Sequence, residues 1–285
     1  MKVTPSPFRS DFYMWNGVSA IFFSNCLTNI HSHNTMQVLI DTQTQFRCRV
    51  DGSNWQSYKN LIIREEVPHQ LDTNGSTQLI IYLDTQTRAA KDIKERYLKG
   101  VKAAAPDLNF FDHIRLNELQ QVMLKPNAQN LLSIVQQVLG ILTGKSPSSK
   151  TDPRVLAVEQ YINSSHPDAI SLPVLSGRVH LSGSRLRALF KEQTGVSLYK
   201  CILWSRIRFA INRFMNGSPI GDAAWEAGFT DSSHFHKMLV SMFGISPSQF
   251  LRDHKTMEIH TCDRWPLNFE TKVYDAKGEQ LQWYH

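Results

Sequence analysis

The chain has 285 residues, of which 41% are hydrophobic and 20% charged. That is enough apolar content to bury a core, and it excludes a disordered polyelectrolyte. The formal net charge is +6 and the sequence pI about 9.1, a mildly basic balance that suits a polyanionic partner without requiring one.

The first part of the chain alternates with a period of two. Met36, Val38 and Ile40, then Phe46, Cys48 and Val50, then Leu61 to Ile63 and Leu79 to Leu83, read as short strands, with Asp51-Gly52 and Asn74-Gly75 as turns. Short strands punctuated this way predict a small β-barrel or sandwich. The aromatic residues upstream, Phe8, Phe12, Tyr13, Trp15, Phe22 and Phe23, are read as core or as the roof of a pocket. From about Arg88 the period becomes helical. Ile93, Tyr97 and Leu98 mark one helix, and Ile114, Leu116, Leu119 and Met123 a second. Leu131, Leu132, Ile134, Val135, Val138, Leu139 and Leu142 mark a third. The apolar stripe of that third helix is wide enough to pack on its own domain or to serve as a homodimer surface.

GKSPSSKTDP, 144–153, has the composition of a linker. Helical signal then runs to about Asp253. In the tail beyond, Lys277-Gly278 sits between Val273-Tyr274 and Leu281, Trp283 and Tyr284, which predicts a terminal β-hairpin. The four cysteines, Cys26, Cys48, Cys201 and Cys262, form no C-x-x-C pair and fit a reducing, cytoplasmic setting. The N-terminus lacks the apolar core of a secretory signal, and no run approaches the roughly 18 apolar residues of a membrane span.

The helical part contains a repeat. Leu186, Phe190, Gly195, Val196 and Ser197 have the same spacing as Phe235, Leu239, Gly244, Ile245 and Ser246. Each set follows a short helical segment, Leu172 to Val179 in the first case and Ile220 to Ala227 in the second. His180 to Ser182 forms the first turn, one residue shorter than its counterpart. Thr230 or Asp231 caps the later helix, and Gly244 ends it ahead of Ser246-Pro247. Two helix-turn-helix units are therefore predicted. Leu198 to Met215 joins them as one long helix, with Ile202, Trp204, Ile207, Ala210, Ile211 and Phe214 facing inward. The second helix of such a unit lies in the major groove, and its outward face must be small, hydrogen-bonding or basic. In the first unit these positions are Ser184, Arg185, Arg187, Ala188 and Lys191; in the second they are Ser232, Ser233, His236 and Lys237. Arg187 is the candidate for a bidentate guanine contact, while Lys191 and Lys237 are candidates for phosphate or single guanine contacts.

These residues resemble the AraC/XylS family of bacterial transcription regulators over about Asp152 to Asp253. AAWEAGFTDSSHFHKMLVSMFGISPSQF is similar to the family's Ala-rich helix followed by G-F-x-D-x-S-[HY]-F and F-G-x-S-P. LSGRVHLSGSRLRALFKEQTGV stands as the first unit, and Arg206, Ile207 and Ala210 keep the linker-helix pattern. Ser176 and Gly177 stand where the family has alanines, His180 where a turn glycine is common, Lys237 where arginine is frequent, and Leu239 and Val240 where Phe and a basic residue are common. The N-terminal half resembles, more loosely, the cupin-type barrel found ahead of such modules. His31-Ser-His33, Gln37 and Pro68-His69 echo the cupin metal motif, with Gln37 where a carboxylate is usual. His31, His33, Gln37 and His69 are accordingly candidate ligand-pocket residues. The histidines could hold a metal with His69 as third ligand, or line a dry or ligand-filled pocket; no resident metal or cofactor is expected.

The expected fold is α+β and multidomain. A cupin-like sensory and dimerisation domain spans 1–143, a linker 144–153, an all-α double helix-turn-helix domain 154–253 and a tail 254–285. The expected function is a ligand-responsive, sequence-specific transcription regulator and not an enzyme. Its partners would be double-stranded DNA, a small-molecule effector, a second copy of the chain and, for an activator, RNA polymerase. A cupin-type metalloenzyme with an attached helical domain is the rival, and an architectural DNA-binding protein without a sensor is another.

Overall fold

The computed structural model describes residues 10–15, 17–24, 27–107, 128–144, 152–243 and 257–261. Strands β1 (Ser10–Trp15), β2 (Val18–Ser24), β3 (Thr35–Asp41), β4 (Phe46–Val50), β5 (Gln56–Tyr58), β6 (Asn60–Ile63), β7 (His69–Asp72) and β8 (Thr77–Asp84) come first. Helix α1 (Arg88–Tyr97), strand β9 (Ala103–Ala104) and helix α2 (Ala128–Thr143) follow. The helical half comprises α3 (Pro153–Ser164), α4 (Leu172–Arg178), α5 (Gly183–Thr194), α6 (Leu198–Met215), α7 (Ile220–Glu226) and α8 (Ser232–Phe243), and β10 (Met257–Thr261) comes last.

The strands form two sheets, one of seven strands in the order β10-β1-β2-β8-β3-β6-β9 and one of three in the order β5-β4-β7. β3 and β8 are buried at every position because both faces of the large sheet are covered. Tyr13, Trp15, Met36, Val38, Ile81 and Leu83 pack on one side against Ile93 of α1 and the apolar residues of α2. Leu39, Leu61, Ile63 and Ile80 pack on the other side against Phe46, Cys48 and Leu71 of the small sheet. The described strands thus make two facing layers, and a closed barrel is not among them. One of the corners between the layers is the turn after β7, where Asn74 and Gly75 have φ of 52° and 78°. The left-handed pair reverses the chain there, and β8 enters the large sheet instead of pairing with β7. Buried Asp41 braces this corner, accepting hydrogen bonds from Ser76 Oγ at 2.6 Å and Gln78 Nε2 at 3.0 Å.

Phe12, Tyr13, Trp15 and Phe22 are buried on β1 and β2, whereas Phe8 and the Phe23 side chain lie outside what is described. The stripe of α2 is used within its own domain. Leu131, Val135, Val138 and Leu142 are each fully buried against α1 and the sheet, so the expected dimer surface on this helix is already covered. The helix expected around Ile114 to Met123, most of 144–153, and the hairpin at Lys277-Gly278 lie outside the described residues.

Two features join the halves. β10, from the tail, pairs in parallel with the edge strand β1, placing Ile259 opposite Phe12. At the end of β8, buried Asp84 accepts from Lys200 Nζ at 2.9 Å and from Trp204 Nε1 at 3.5 Å, both on α6. The apolar cluster beside the small sheet continues into Trp204, Ile207, Ala210 and Ile211 of that helix.

Candidate nucleic-acid interface and histidine cluster

The first unit is α4, a turn and α5. Ser171 caps α4, accepting from Val174 N, and Leu175 is its buried anchor. His180 turns the chain at φ 51°, with its N–H directed to Gly177 O at 3.3 Å and the N–H of Leu181 to Ser176 O at 3.1 Å. Ser182 then caps α5 by accepting from Arg185 N. Leu186, Leu189 and Phe190 are buried in the unit's core. Ser184, Arg185, Arg187, Ala188 and Lys191 are all exposed. Gly195 ends α5 in the left-handed conformation, returning its N–H to Lys191 O at 2.9 Å.

The second unit repeats this geometry with different residues. Ala223 and Ala224 of α7 are fully buried, the close approach that small side chains allow. Gly228 takes φ 79°, its N–H reaching Trp225 O at 2.9 Å and that of Phe229 reaching Ala224 O at 3.0 Å. Of the two residues that could cap α8, Asp231 is the one used, accepting from His234 N at 2.7 Å. That backbone hydrogen bond holds the Asp231 carboxyl below the usual carboxylate range. Phe235 and Leu239 face inward, and Ser232, Ser233, His236 and Lys237 are exposed.

α6 spans both units. Leu198, Cys201 and Ile202 belong to the core of the first, and Trp204, Ile207, Ala210 and Ile211 to a cluster shared with Phe229, Phe235 and Leu239 of the second. One continuous helix therefore sets the relative position of the two exposed faces. Arg206 braces the second turn, donating from Nη1 to Gly228 O at 3.3 Å. Two exposed aromatic residues had not been singled out: Tyr199 at the start of α6 is 70% exposed and Trp225 on α7 is 76% exposed. Their signal in the sequence is a large ring standing off the apolar period.

A second constellation lies between the two sheets. The His31 ring is 4.7 Å from that of His33 and 4.5 Å from that of His69, and His33 and His69 are 5.4 Å apart. His33 and His69 are buried and His31 is half-buried. Burial is the largest cause lowering the His31 pKa, and it lowers that of His69 to about 4, so both rings are neutral at pH 7. Gln37 is buried on β3 directly opposite Tyr82 of β8, and the Tyr82 ring stands 5.3 Å from His33. The structure thus gathers the three histidines and puts Gln37 on the sheet face that carries Tyr82. Tyr82 belongs to this cluster, a placement that only strand register reveals.

The helical geometry has counterparts. A family of helix-turn-helix domains matches residues 175–253. The chain is 38% identical over 72 residues to the HTH-type transcriptional activator RhaR of Pectobacterium atrosepticum, a quarter (25%) of each chain. It is 23% identical over 146 residues to the Msm operon regulatory protein of Streptococcus mutans, which is 50% of this chain and 52% of that protein. Residues 175–253 are thus a helix-turn-helix domain of the AraC type. The matched segments span about half or less of these relatives' lengths. Among solved structures, ToxT from Vibrio cholerae O395 is similar at a TM-score of 0.42 with 14% identity, covering 86% of this chain and 97% of that one. No helix among the described residues is long and apolar enough to cross a membrane.

Proposed function

We propose that this chain is a sequence-specific regulator of transcription of the AraC/XylS kind, which lays α5 and α8 in successive major grooves of one duplex. The observation that carries the reading is the pair of exposed, small-and-basic helix faces fixed by one rigid helix. α6 has 18 residues and is about 27 Å long, comparable with the roughly 34 Å between major grooves on one side of B-DNA. In this reading Arg187 reads guanine, with Lys191 and Lys237 on phosphates or single bases. Ser184, Arg185, Ala188, Ser232, Ser233 and His236 shape the two contact surfaces. The N-terminal sheets act as the sensor, and the His31, His33, Gln37 and His69 region is the effector pocket. Tyr82 of that region lies two residues from Asp84 on the same strand and face, and Asp84 is bonded to α6. An effector that favours one arrangement of sheet and helix would shift the DNA-competent population by linkage.

Selection of bound sequences from random duplex DNA by the full chain at physiological salt tests the reading. A motif of two blocks about one helical turn apart is expected. Binding without any motif, abolished as salt rises, would overturn it in favour of a non-specific architectural role.

A further inference from the structure

We propose that β10 is a releasable strap, which holds the helix-turn-helix half on the N-terminal sheets and lets go when both recognition helices engage DNA. The role rests on the two-groove binding proposed above. β10 follows α8, the second recognition helix, which ends at Phe243, yet it pairs with β1 at the other end of the chain. The ladder is parallel and runs from Ser10 opposite Met257 to Met14 opposite Thr261. β10 also runs beside α6, the helix that both units share. One short strand thus touches both halves, and residues 244–256 tie it to the second unit.

The pairing is of a kind that can open by itself. β10 has five residues and is the outermost strand of its sheet, with β1 as its one strand neighbour among the described residues. A parallel ladder is slightly less stable per residue than an antiparallel one, and short segments with few partners open at low cost. β1 keeps its antiparallel pairing with β2 when β10 leaves, and Phe12 and Met14 stay buried in the cluster that reaches α6. The sheet therefore survives release of the strap.

DNA opposes the paired state because of where the units are held. Asp84 grips Lys200 and Trp204 near the start of α6. Gly195, at the end of α5, lies so close to α1 that a Cβ there would stand 2.8 Å from Arg88 N. The first unit is thus docked on the sheets by its own contacts, and the strap ties down the second. α6, with 18 residues, is about 27 Å long, shorter than the roughly 34 Å between successive major grooves. Engaging both grooves requires the units to shift or the duplex to bend. A module tied to one sheet system at both units resists the shift. Strap pairing and two-groove binding then weaken each other, and by linkage to the same extent.

The test uses the full chain with Ser10→Cys and Met257→Cys together, at positions that face each other in the ladder and so stand within disulfide reach. Affinity for the duplex recovered by selection is measured on the oxidised and the reduced protein, with the wild-type chain taken through the same oxidation as control. Locking the strap should weaken binding by about tenfold or more, reversed by reductant, because only the released fraction is competent. Detaching it should do the opposite. Successive N–H groups of a strand point opposite ways, so of Ile259→Pro and His260→Pro one removes a ladder donor and the other sits on the free edge. One should raise affinity by about threefold or more and the other leave it near wild type. Bound duplex should also speed hydrogen exchange in residues 10–14 and 257–261 of the wild-type chain, a readout that stands even if the disulfide does not form. Equal affinity of the locked and reduced forms, or exchange in those strands that duplex leaves unchanged or slows, would overturn the strap while leaving DNA binding intact. A wild-type chain that binds no duplex would instead overturn the two-groove reading itself, and the strap with it.

Discussion

The two helix-turn-helix units share a shape and differ in how they reach it. Unit two turns on Gly228, which takes φ 79° without steric cost, and caps its recognition helix with a carboxylate. Unit one turns on His180 at φ 51°, a side chain in the left-handed region, and caps with a hydroxyl. The core on which unit one packs also holds a buried acid. Glu159 of α3 is 5% exposed within the core that holds Leu186 and Phe190. Unit one is thus less well matched locally to its fold and holds the more basic recognition helix, with Arg185, Arg187 and Lys191 against Lys237 alone in α8. Local backbone preference and the charge of the outward face are separable properties, and the chain assigns them unequally.

The largest effect that would sharpen the contrast is the pH dependence of unit one. Burial pushes the Glu159 pKa up from about 4.5 to about 8, with Cys201 its titratable neighbour. The folded chain keeps a proton that the unfolded chain releases, so stability falls as pH rises through that window and levels off above about 8. Glu159→Gln should remove most of this slope in denaturant titrations at pH 5 and pH 8. An equal slope in the variant would show that the carboxyl is ionised in the fold.

Next comes DNA recognition. Arg187→Ala should cost about 1–3 kcal/mol on a selected site and relax one base position, while Lys237→Ala should weaken binding more evenly across sequences. Unchanged affinity and base preference in Arg187→Ala would remove that residue from the interface. Loss of preference at one base in Lys237→Ala would make it a reader and narrow the difference between the units.

The turns follow. Gly228→Ala puts a Cβ at positive φ and 3.3 Å from the Arg206 guanidinium carbon, and should destabilise by about 1–2 kcal/mol. His180→Gly should move the other way, raising stability by about 0.5–1 kcal/mol. A loss of stability on His180→Gly, measured by urea titration, would mean that the imidazole makes a compensating contact. The caps come last. Asp231→Ala should cost about 1 kcal/mol and Ser182→Ala somewhat less; equal costs would erase the distinction between carboxylate and hydroxyl caps.

Much of the helical half was legible because its signals are local. Leu186 and Phe190, and Phe235 and Leu239, announce buried faces by spacing, and Gly195, Gly228, Ser182 and Asp231 punctuate the helices within a few residues of where they act. The strands around Val38, Cys48, Ile62 and Ile81 were legible for the same reason. The choice between Thr230 and Asp231 as cap was open, because both side chains carry an acceptor and only backbone geometry separates them. β1 and β2 were missed as strands, their aromatic residues being read only as core or roof, since nothing in a run of apolar rings says which sheet it will enter. The use of the α2 stripe was undecided for a similar reason, because an apolar face looks the same whether its own sheet or a partner covers it.

By itself the sequence determined two helix-turn-helix units on one long helix, the residues on their outward faces, and an α+β division of the chain. Those properties follow from periodicity and capping, which act over one or two turns. Only the tertiary structure decided that the strands divide into two layers, that Tyr82 stands beside the histidines, that Asp84 holds Lys200 and Trp204, and that β10 returns from the tail to pair with β1. Those contacts join residues tens to hundreds of positions apart. They depend on strand register and burial, which no local pattern encodes.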